Sequence, residues 1–177
     1  SDRLTESLNA ANRELAARIT ENAGLAGMGC TLIAVLIEDR AAQWVSVGDS
    51  PLWLLAEGTL RRLNEDHSML PVLMKMAERG EMTEDEARSD PRRNQLRSVL
   101  MGDAIDKVEK PGVPLALASG DYLLLASDGL VTLSAAEILA CIEGECDRSV
   151  GALMKAIAAA GHPNQDNTTA ILFRASD

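Results

Sequence analysis

Three aspartates stand at points of the sequence where a predicted strand meets a turn. Asp49 and Asp128 each follow an apolar strand and Asp166 precedes one; the strands are QWVSV, DYLLLAS and TTAILF, in that order. In an antiparallel sheet the end of one strand lies beside the beginning of its neighbour, so the three carboxylates could converge at one edge. Converging carboxylates repel one another unless a cation neutralises them, and hard divalent cations prefer oxygen ligands. The pattern therefore predicts a magnesium or manganese site.

The same aspartates have a second interpretation as ordinary turn residues. An aspartate side chain often bonds its own backbone in a turn. Gly129 and Asn167, which follow Asp128 and Asp166, are also frequent in turns. Spacing alone leaves both interpretations open.

Composition and charge argue against two classes of binding partner, nucleic acids and membranes. Of the 177 residues, 46% are hydrophobic and only 2% are aromatic, and the formal net charge is −10. This charge repels a phosphate backbone or an anionic membrane surface, and few aromatic rings are present on which bases could stack, so we expect no nucleic acid and no membrane. No apolar run reaches the length of a membrane span. The three cysteines show no CxxC spacing and are odd in number, so we predict reduced thiols and a cytoplasmic location.

Hydrophobic periodicity predicts a mixture of helices and strands. Apolar residues recur at helical spacing over residues 3–21. After this helix, apolar or alternating runs bounded by short turns predict strands at 30–38, 43–47, 52–56, 59–63, 121–127 and 168–173. Short connections imply antiparallel pairing, so the sequence favours an α+β layered domain.

The segment 64–102 differs from its surroundings because it is polar and carries little β signal. Thr83 and Glu86 fit a capping box, in which each side chain bonds the other residue's backbone N–H at a helix start. Ser134 and Glu137 fit a second one. We interpret 64–102 as a mobile excursion from the main sheet, with helical pieces.

Short phrases around the aspartates resemble the type 2C (PPM) family of protein phosphatases, especially its bacterial members. In chain order, the matching phrases are AGMGCTL at 26–32, VGDS at 47–50, LNEDHS at 63–68, SDGL at 127–130 and DN at 166–167. The stretch from Glu78 to Asn94 resembles the flap beside that family's active site. The resemblance extends nearly from end to end, and it rests on the order and spacing of the phrases.

This resemblance implies a fold and a chemistry. The fold is an α+β sandwich of two antiparallel β-sheets flanked by helices. The chemistry is hydrolysis of phosphoserine and phosphothreonine in proteins by a metal-activated water at a binuclear magnesium or manganese site. By position, Asp128 and Asp166 match ligands of the binuclear centre, and Asp49, with Asp128, matches a third, weaker metal position. The complete family domain holds two or three ions, and no catalytic residue beyond the metal ligands is implied.

The resemblance also suggests partners and a site for substrate contact. Phosphorylated proteins are the implied substrates, and a serine/threonine kinase is a further candidate partner. In the flap, Arg92 and Arg93 are candidates for contact with a phosphopeptide, and a solvated basic pair is the equal alternative. For His67 we expect a structural or capping role, for His162 an ordinary loop position, and for Cys30 a buried, inert thiol.

Two features of the family have no counterpart before the helix at 3–21. One is an Asp-Gly motif whose aspartate bridges both metals, and the other is an arginine that binds the substrate phosphate. We therefore interpret 1–177 as a single type 2C phosphatase-like domain, N-terminally truncated, with a flap at 64–102, and expect weak activity from the chain alone. Two other hypotheses are a non-catalytic module of the same fold, binding a phosphoprotein or kinase, and a purely structural acidic domain.

Overall fold

The computed structural model describes residues 2–176 and follows the predicted pattern of helices and strands. The α-helices are α1 (Asp2–Glu21), α2 (Leu70–Glu78), α3 (Glu84–Ser89), α4 (Ala135–Cys141) and α5 (Cys146–Ala160), and short 3-10 helices cover Ala23–Leu25 and Asp128–Thr132. The strands are β1 (Leu32–Glu38), β2 (Ala41–Val47), β3 (Leu52–Ala56), β4 (Thr59–Arg62), β5 (Leu115–Ala116), β6 (Tyr122–Ala126) and β7 (Ala170–Arg174). Within residues 2–176, no helix has the length and apolar character needed to cross a membrane.

The strands form two antiparallel sheets. One has three strands in the order β1–β2–β5, and the other has four in the order β4–β3–β6–β7. Strands β3 and β4 form a hairpin closed by the turn at 57–58. The prediction of two antiparallel sheets accompanied by helices is confirmed.

Two local expectations need correction. Strand β1 begins at Leu32, and Cys30 lies before it in an isolated bridge to Leu100, where its thiol is exposed. The prediction of a buried thiol at Cys30 is therefore wrong, because the apolar run extends beyond the strand that it marks. The two-residue strand β5 was not predicted, since a segment this short carries no readable periodicity.

The chain divides into two compact units. The first consists of the residues up to Leu36 together with Gln43–Asp49 and Glu65–Val113, and the second consists of Ile37–Ala42, Ser50–Asn64 and the residues from Pro114 onward. The segment 64–102 falls almost wholly in the first unit. It contains α2 and α3 and no strand of either sheet. Its mobility stays a prediction.

Helix α1 supplies part of the core of the first unit. Its residue Leu8 is buried with Val45, Val47 and Leu100. Such apolar burial is the main source of stability for a helix of this kind. The predicted capping box is confirmed at the start of α3, where Thr83 and Glu86 bond each other's backbone.

The core of the second unit lies between the four-stranded sheet and the helices α4 and α5. Alternate residues of β3 and β6 point to one face, as the two-residue period of a strand requires, and pack against apolar residues of both helices. The buried members are Trp53, Leu55, Tyr122, Leu124, Ala126, Leu130, Leu133, Ile138, Ile142, Leu153 and Ile157. The second capping box, at Ser134 and Glu137, is confirmed and begins α4. This packing fixes the neighbouring ends of β6 and β7.

Candidate metal centre

The pairing of β6 with β7 brings two of the predicted aspartates to the same end of one sheet. The strands are antiparallel, and Ala126 at the end of β6 lies opposite Ala170 at the start of β7. Asp128 follows Ala126 by two residues, and Asp166 precedes Ala170 by four. The register therefore places both residues in adjoining loops.

Hydrogen bonds join these two loops directly. The Ser127 backbone N–H donates to the Thr169 carbonyl oxygen at 3.0 Å. The Ser127 hydroxyl donates to the Asn167 carbonyl oxygen at 3.1 Å and accepts from the Thr169 N–H at 3.0 Å. Three bonds from one serine thus fix the residue before Asp128 against the residues after Asp166.

Gly129 allows the loops to approach this closely. A Cβ atom at this position would lie 2.7 Å from the Asn167 carbonyl oxygen and 2.8 Å from that of Asp166. Real Cβ atoms essentially never come within 3.0 Å of such atoms. The glycine of the SDG phrase therefore has a steric role in this site, beyond its frequency in turns.

The carboxylates of Asp128 and Asp166 are both exposed. The Asp166 carboxylate is held by a hydrogen bond within its own loop. Asp166 Oδ1 accepts from the Asn167 N–H at 2.7 Å. Both side chains supply oxygen only, as a hard divalent cation requires. Among residues 2–176, no cluster of three or more His, Cys, Asp or Glu side chains could hold a metal. The donor set of this unit therefore fits part of a magnesium or manganese site, with two carboxylates from adjoining loops.

Asp49 lies in the first unit, at a tight turn after β2. Gly48, which precedes it, has φ +101°, and a Cβ there would lie 2.6 Å from the Cβ of Thr31. Its N–H donates to Nδ1 of His67 at 3.2 Å, and its carbonyl oxygen accepts from the His67 N–H at 3.1 Å. The turn that carries Asp49 is therefore fixed by a histidine 18 residues further along the chain.

Known proteins similar to this chain are bacterial serine/threonine phosphatases. Serine/threonine phosphatase Stp of Listeria welshimeri is 33% identical over 130 residues, covering 73% of this chain and 50% of the relative. The crystal structure of the phosphatase PstP/Ppp of Mycobacterium tuberculosis has a TM-score of 0.84 at 28% identity, covering 99% of this chain and 72% of that one. The chain belongs to the type 2C (PPM) family of protein phosphatases. The predicted family and fold class are confirmed.

A further solved structure of the PPM family bears on the metal. It is the catalytic domain of serine/threonine protein phosphatase PstP in complex with two manganese ions, with a TM-score of 0.76 at 29% identity, covering 98% of this chain and 72% of that one. No family model matches the sequence. The chain spans about half the length of the first curated PPM relatives that it matches.

Sequence reasoning missed the role of Gln165 in this PPM chain. Its side-chain Nε2 donates to the carbonyl oxygens of Gly129 and Asp166, both at 2.9 Å, and to the Thr168 hydroxyl at 3.3 Å. One amide therefore joins the loop of Asp128 to the loop of Asp166. The sequence carried no signal for this contact beyond the position of the residue before Asp-Asn. His162, four residues before Asp166, is exposed, as expected of a loop residue.

His67 has the structural role that was expected of it, although it caps no helix. Its side chain is 0% exposed, and burial lowers its pKa, so the neutral ring is the favoured form. Because Nδ1 accepts from Gly48, the proton of the neutral ring lies on Nε2. Nε2 has no hydrogen-bond partner and lies 3.9 Å from a carboxylate oxygen of Glu65.

The two flap arginines, which are candidates either for contact with a phosphopeptide or for a solvated basic pair, differ in their surroundings. Arg92 makes a bidentate pair with Asp90, with Nε to Oδ1 at 3.0 Å and Nη2 to Oδ2 at 2.8 Å. This pair, and the bond from the Arg92 backbone, hold the pKa of Asp90 down to about 2. Arg93 is half-buried, and its Nη1 reaches the Asp90 carbonyl oxygen at 3.5 Å. Contact of Arg92 with a phosphopeptide would therefore compete with Asp90.

Proposed function

We propose that this chain takes part in the hydrolysis of phosphoserine and phosphothreonine in proteins, with magnesium or manganese as cofactor. The observation that carries the proposal is the contact between the loops of Asp128 and Asp166. Two phrases that are typical of the family adjoin there through direct hydrogen bonds. A fold alone would not support an activity, whereas direct contact between these two loops supports a shared site for two oxygen ligands.

Asp128 and Asp166 are the residues that we assign to the binuclear metal centre. Bound divalent ions would supply charge neutralisation of the phosphoryl oxygens and a lowered pKa for an attacking water. The chain itself supplies the orientation of the ligands. Asn167 holds one oxygen of Asp166, and the close approach at Gly129 sets the spacing of the two loops. Asp49 stays a predicted ligand of a third, weaker position.

The net charge of the chain is consistent with a need for cations. A phosphorylated side chain carries about −1.5 to −2 charge at neutral pH. A protein of formal charge −10 with exposed aspartates repels such a group unless metal ions reverse the local potential. Phosphorylated proteins are the proposed substrates, and the kinase that phosphorylates them is a proposed partner. The cytoplasmic location stays a prediction that rests on the three free thiols.

Manganese binding can be tested without any turnover. Mn²⁺ titrated into the ¹⁵N-labelled chain should broaden amide resonances of 127–129 and 165–168, because the paramagnetic ion acts on nearby nuclei. Asp128→Asn and Asp166→Asn should each weaken the broadening, and exposed Asp106→Asn should leave it unchanged. Broadening that is strongest at residues distant from Asp128, Asp166 and Asp49, or equal effects of all three variants, would refute the assignment.

Activity is tested in the longest natural protein that contains this chain. Manganese-dependent release of phosphate from a phosphothreonine peptide should fall by at least about 100-fold in Asp128→Ala, as expected when a metal ligand is lost. Tight binding of the phosphopeptide with no release under any divalent metal would instead favour a non-catalytic binding module.

A further inference from the structure

A cleft in the first unit collects three cationic side chains in a chain that is acidic overall. Its volume is about 150 Å³, and its lining residues are Glu65, Asp66, Pro71, Val72, Lys75, Arg97 and Lys107. Three cations face two carboxylates there, whereas the whole chain has 17 basic and 27 acidic residues. The three cations are 22 and 10 residues apart in sequence, so no linear motif indicates the cleft.

Neighbouring carboxylates do not neutralise much of the positive charge of these three side chains. Arg97 donates from Nε to the Ser68 carbonyl oxygen at 2.8 Å and from Nη2 to that of Asp66 at 3.4 Å. Carbonyl oxygens orient a guanidinium but carry no net charge to neutralise it. Lys107 is paired with Glu65. Among the described residues, the side-chain ammonium of Lys75 on α2 has no hydrogen-bond or ion-pair partner, and the side chain is exposed.

Two ionisable groups beside the cleft respond to this positive charge. The pKa of Glu65 is lowered by its hydrogen bond from Lys107 and further by the charge of Lys75. The pKa of buried His67 is lowered chiefly by burial, and the charges of Lys107 and Arg97 lower it further. The positive charge of the cleft therefore contributes to lowering the pKa of both groups.

We propose that this cleft binds an anionic group of a protein ligand, either a phosphate ester or a carboxylate. The binding surface contains none of the aspartates assigned to the metal centre. A volume of about 150 Å³ holds roughly five waters, which suits one hydrated phosphate or carboxylate. Lys75 offers the unpaired charge, Arg97 offers its remaining N–H donors, and Lys107 can exchange Glu65 for the ligand. That the ligand is the phosphoprotein substrate rests on the proposed function.

Binding is tested on the metal-free ¹⁵N-labelled chain, so that no metal can take up the ligand. The probes are inorganic phosphate and acetate, each at constant ionic strength set with chloride. Phosphate should give saturable shifts of the amides of Glu65, Asp66, Arg97 and Lys107, and acetate should reveal whether a carboxylate suffices. Shifts distributed over the whole surface, or none in the cleft with either probe, would overturn the proposal.

A charge-reversing substitution distinguishes binding in the cleft from a general effect of the net charge of the chain. Lys75→Glu should weaken phosphate binding by about tenfold or more, because it removes an unpaired cation and adds an anion. Lys155→Glu makes the same change at an exposed lysine of α5 and should have no effect. Equal weakening by both variants would refute a specific site. The Lys75 ammonium makes no hydrogen bond or ion pair, so the variant should fold, and its thermal unfolding is measured as a check.

Rates of peptide hydrolysis then show whether the anionic group bound in the cleft belongs to the phosphoprotein substrate. Three phosphothreonine peptides are compared, with a neutral flank, a glutamate flank or a second phosphoserine. In the natural protein the acidic peptides should have the higher kcat/KM, and Lys75→Glu should reduce this ratio to near one. An unchanged ratio would overturn the substrate assignment. Absence of all hydrolysis would refute the proposed function and leave the binding result standing, so the two failures can be distinguished.

Discussion

Substituting alanine for Gly129 tests whether the close approach of two loops builds the candidate metal centre. The change adds one methyl group and leaves every carboxylate in place. The new Cβ would lie 2.7 Å from one backbone carbonyl oxygen and 2.8 Å from another. It would also lie 2.5 Å from the hydroxyl of Thr168, which can rotate away, whereas the carbonyl oxygens cannot.

The magnitude follows from this geometry. Relief requires the distance to grow from 2.7 Å to the 3.4 Å of ordinary contact, so the loops must separate by about 0.7 Å. Overpacking of this kind destabilises a protein by about 1–3 kcal/mol. The separation also lengthens the bonds that Ser127 makes to the neighbouring loop, which are worth about 1 kcal/mol each. We therefore expect Gly129→Ala to reduce the free energy of unfolding by about 1–4 kcal/mol.

The same displacement should weaken metal binding. Changes in the groups that orient metal ligands typically reduce affinity by about 10–100-fold. Urea unfolding followed by tryptophan fluorescence measures the stability, and Mn²⁺ electron paramagnetic resonance measures the affinity. Gly151→Ala is the control, because a Cβ on that residue of α5 would meet no atom within 4 Å. It should be neutral or slightly stabilising.

A double variant identifies which atoms resist the methyl group. Removing the Thr168 hydroxyl, in Gly129→Ala with Thr168→Ala, should restore little, since the two carbonyl oxygens remain. Full restoration would show that the side chain alone set the spacing. A Gly129→Ala protein that matches the Gly151→Ala control in stability and in Mn²⁺ affinity would refute the steric argument.

Two further predictions concern buried polar side chains. The pKa of His67 is lowered by burial, so the unfolded state binds more protons below pH 6.5. The free energy of unfolding should therefore fall as pH decreases below 6.5, by at most about 1.4 kcal/mol per pH unit. This slope should be absent in His67→Asn and should remain in the control variant His162→Asn. An equal slope in His67→Asn would contradict this. Asn64→Ala removes two hydrogen bonds that the Asn64 side chain makes to backbone groups, at 2.8 and 2.9 Å. Urea unfolding should therefore show a loss of about 2–4 kcal/mol, against under about 0.5 kcal/mol for exposed Asn94→Ala. Similar losses in both would contradict it.

Local features of the fold could be predicted because neighbouring residues determine them. Both capping boxes formed as expected, since each depends on a side chain and a backbone group three residues apart. Strands β3 and β6 matched their apolar runs within one residue. The errors came where the same apolar signal had no sharp end, as at Cys30, or where a strand was too short to show a period, as in β5.

The flap shows the limit of reading charge from sequence. Adjacent arginines at 92 and 93 suggested a place for phosphate, yet Arg92 is paired with Asp90 two residues away. The cleft with the unpaired Lys75 joins residues from three separate segments. Charges that lie close in sequence often neutralise each other locally, and which charges remain available depends on packing.

The sequence by itself determined the family, the sheet-and-helix composition and the aspartates at strand ends, because these are properties of short segments and their order. Only the tertiary structure determined which residues fix the loops that carry those aspartates. The register of Ala126 opposite Ala170 brings Ser127 to Thr169, 42 residues away, and lets Gln165 bond the carbonyl oxygen of Gly129, 36 residues away. Contacts over such separations form when the buried faces of strands and helices select one register, and no local pattern of residue types encodes that selection.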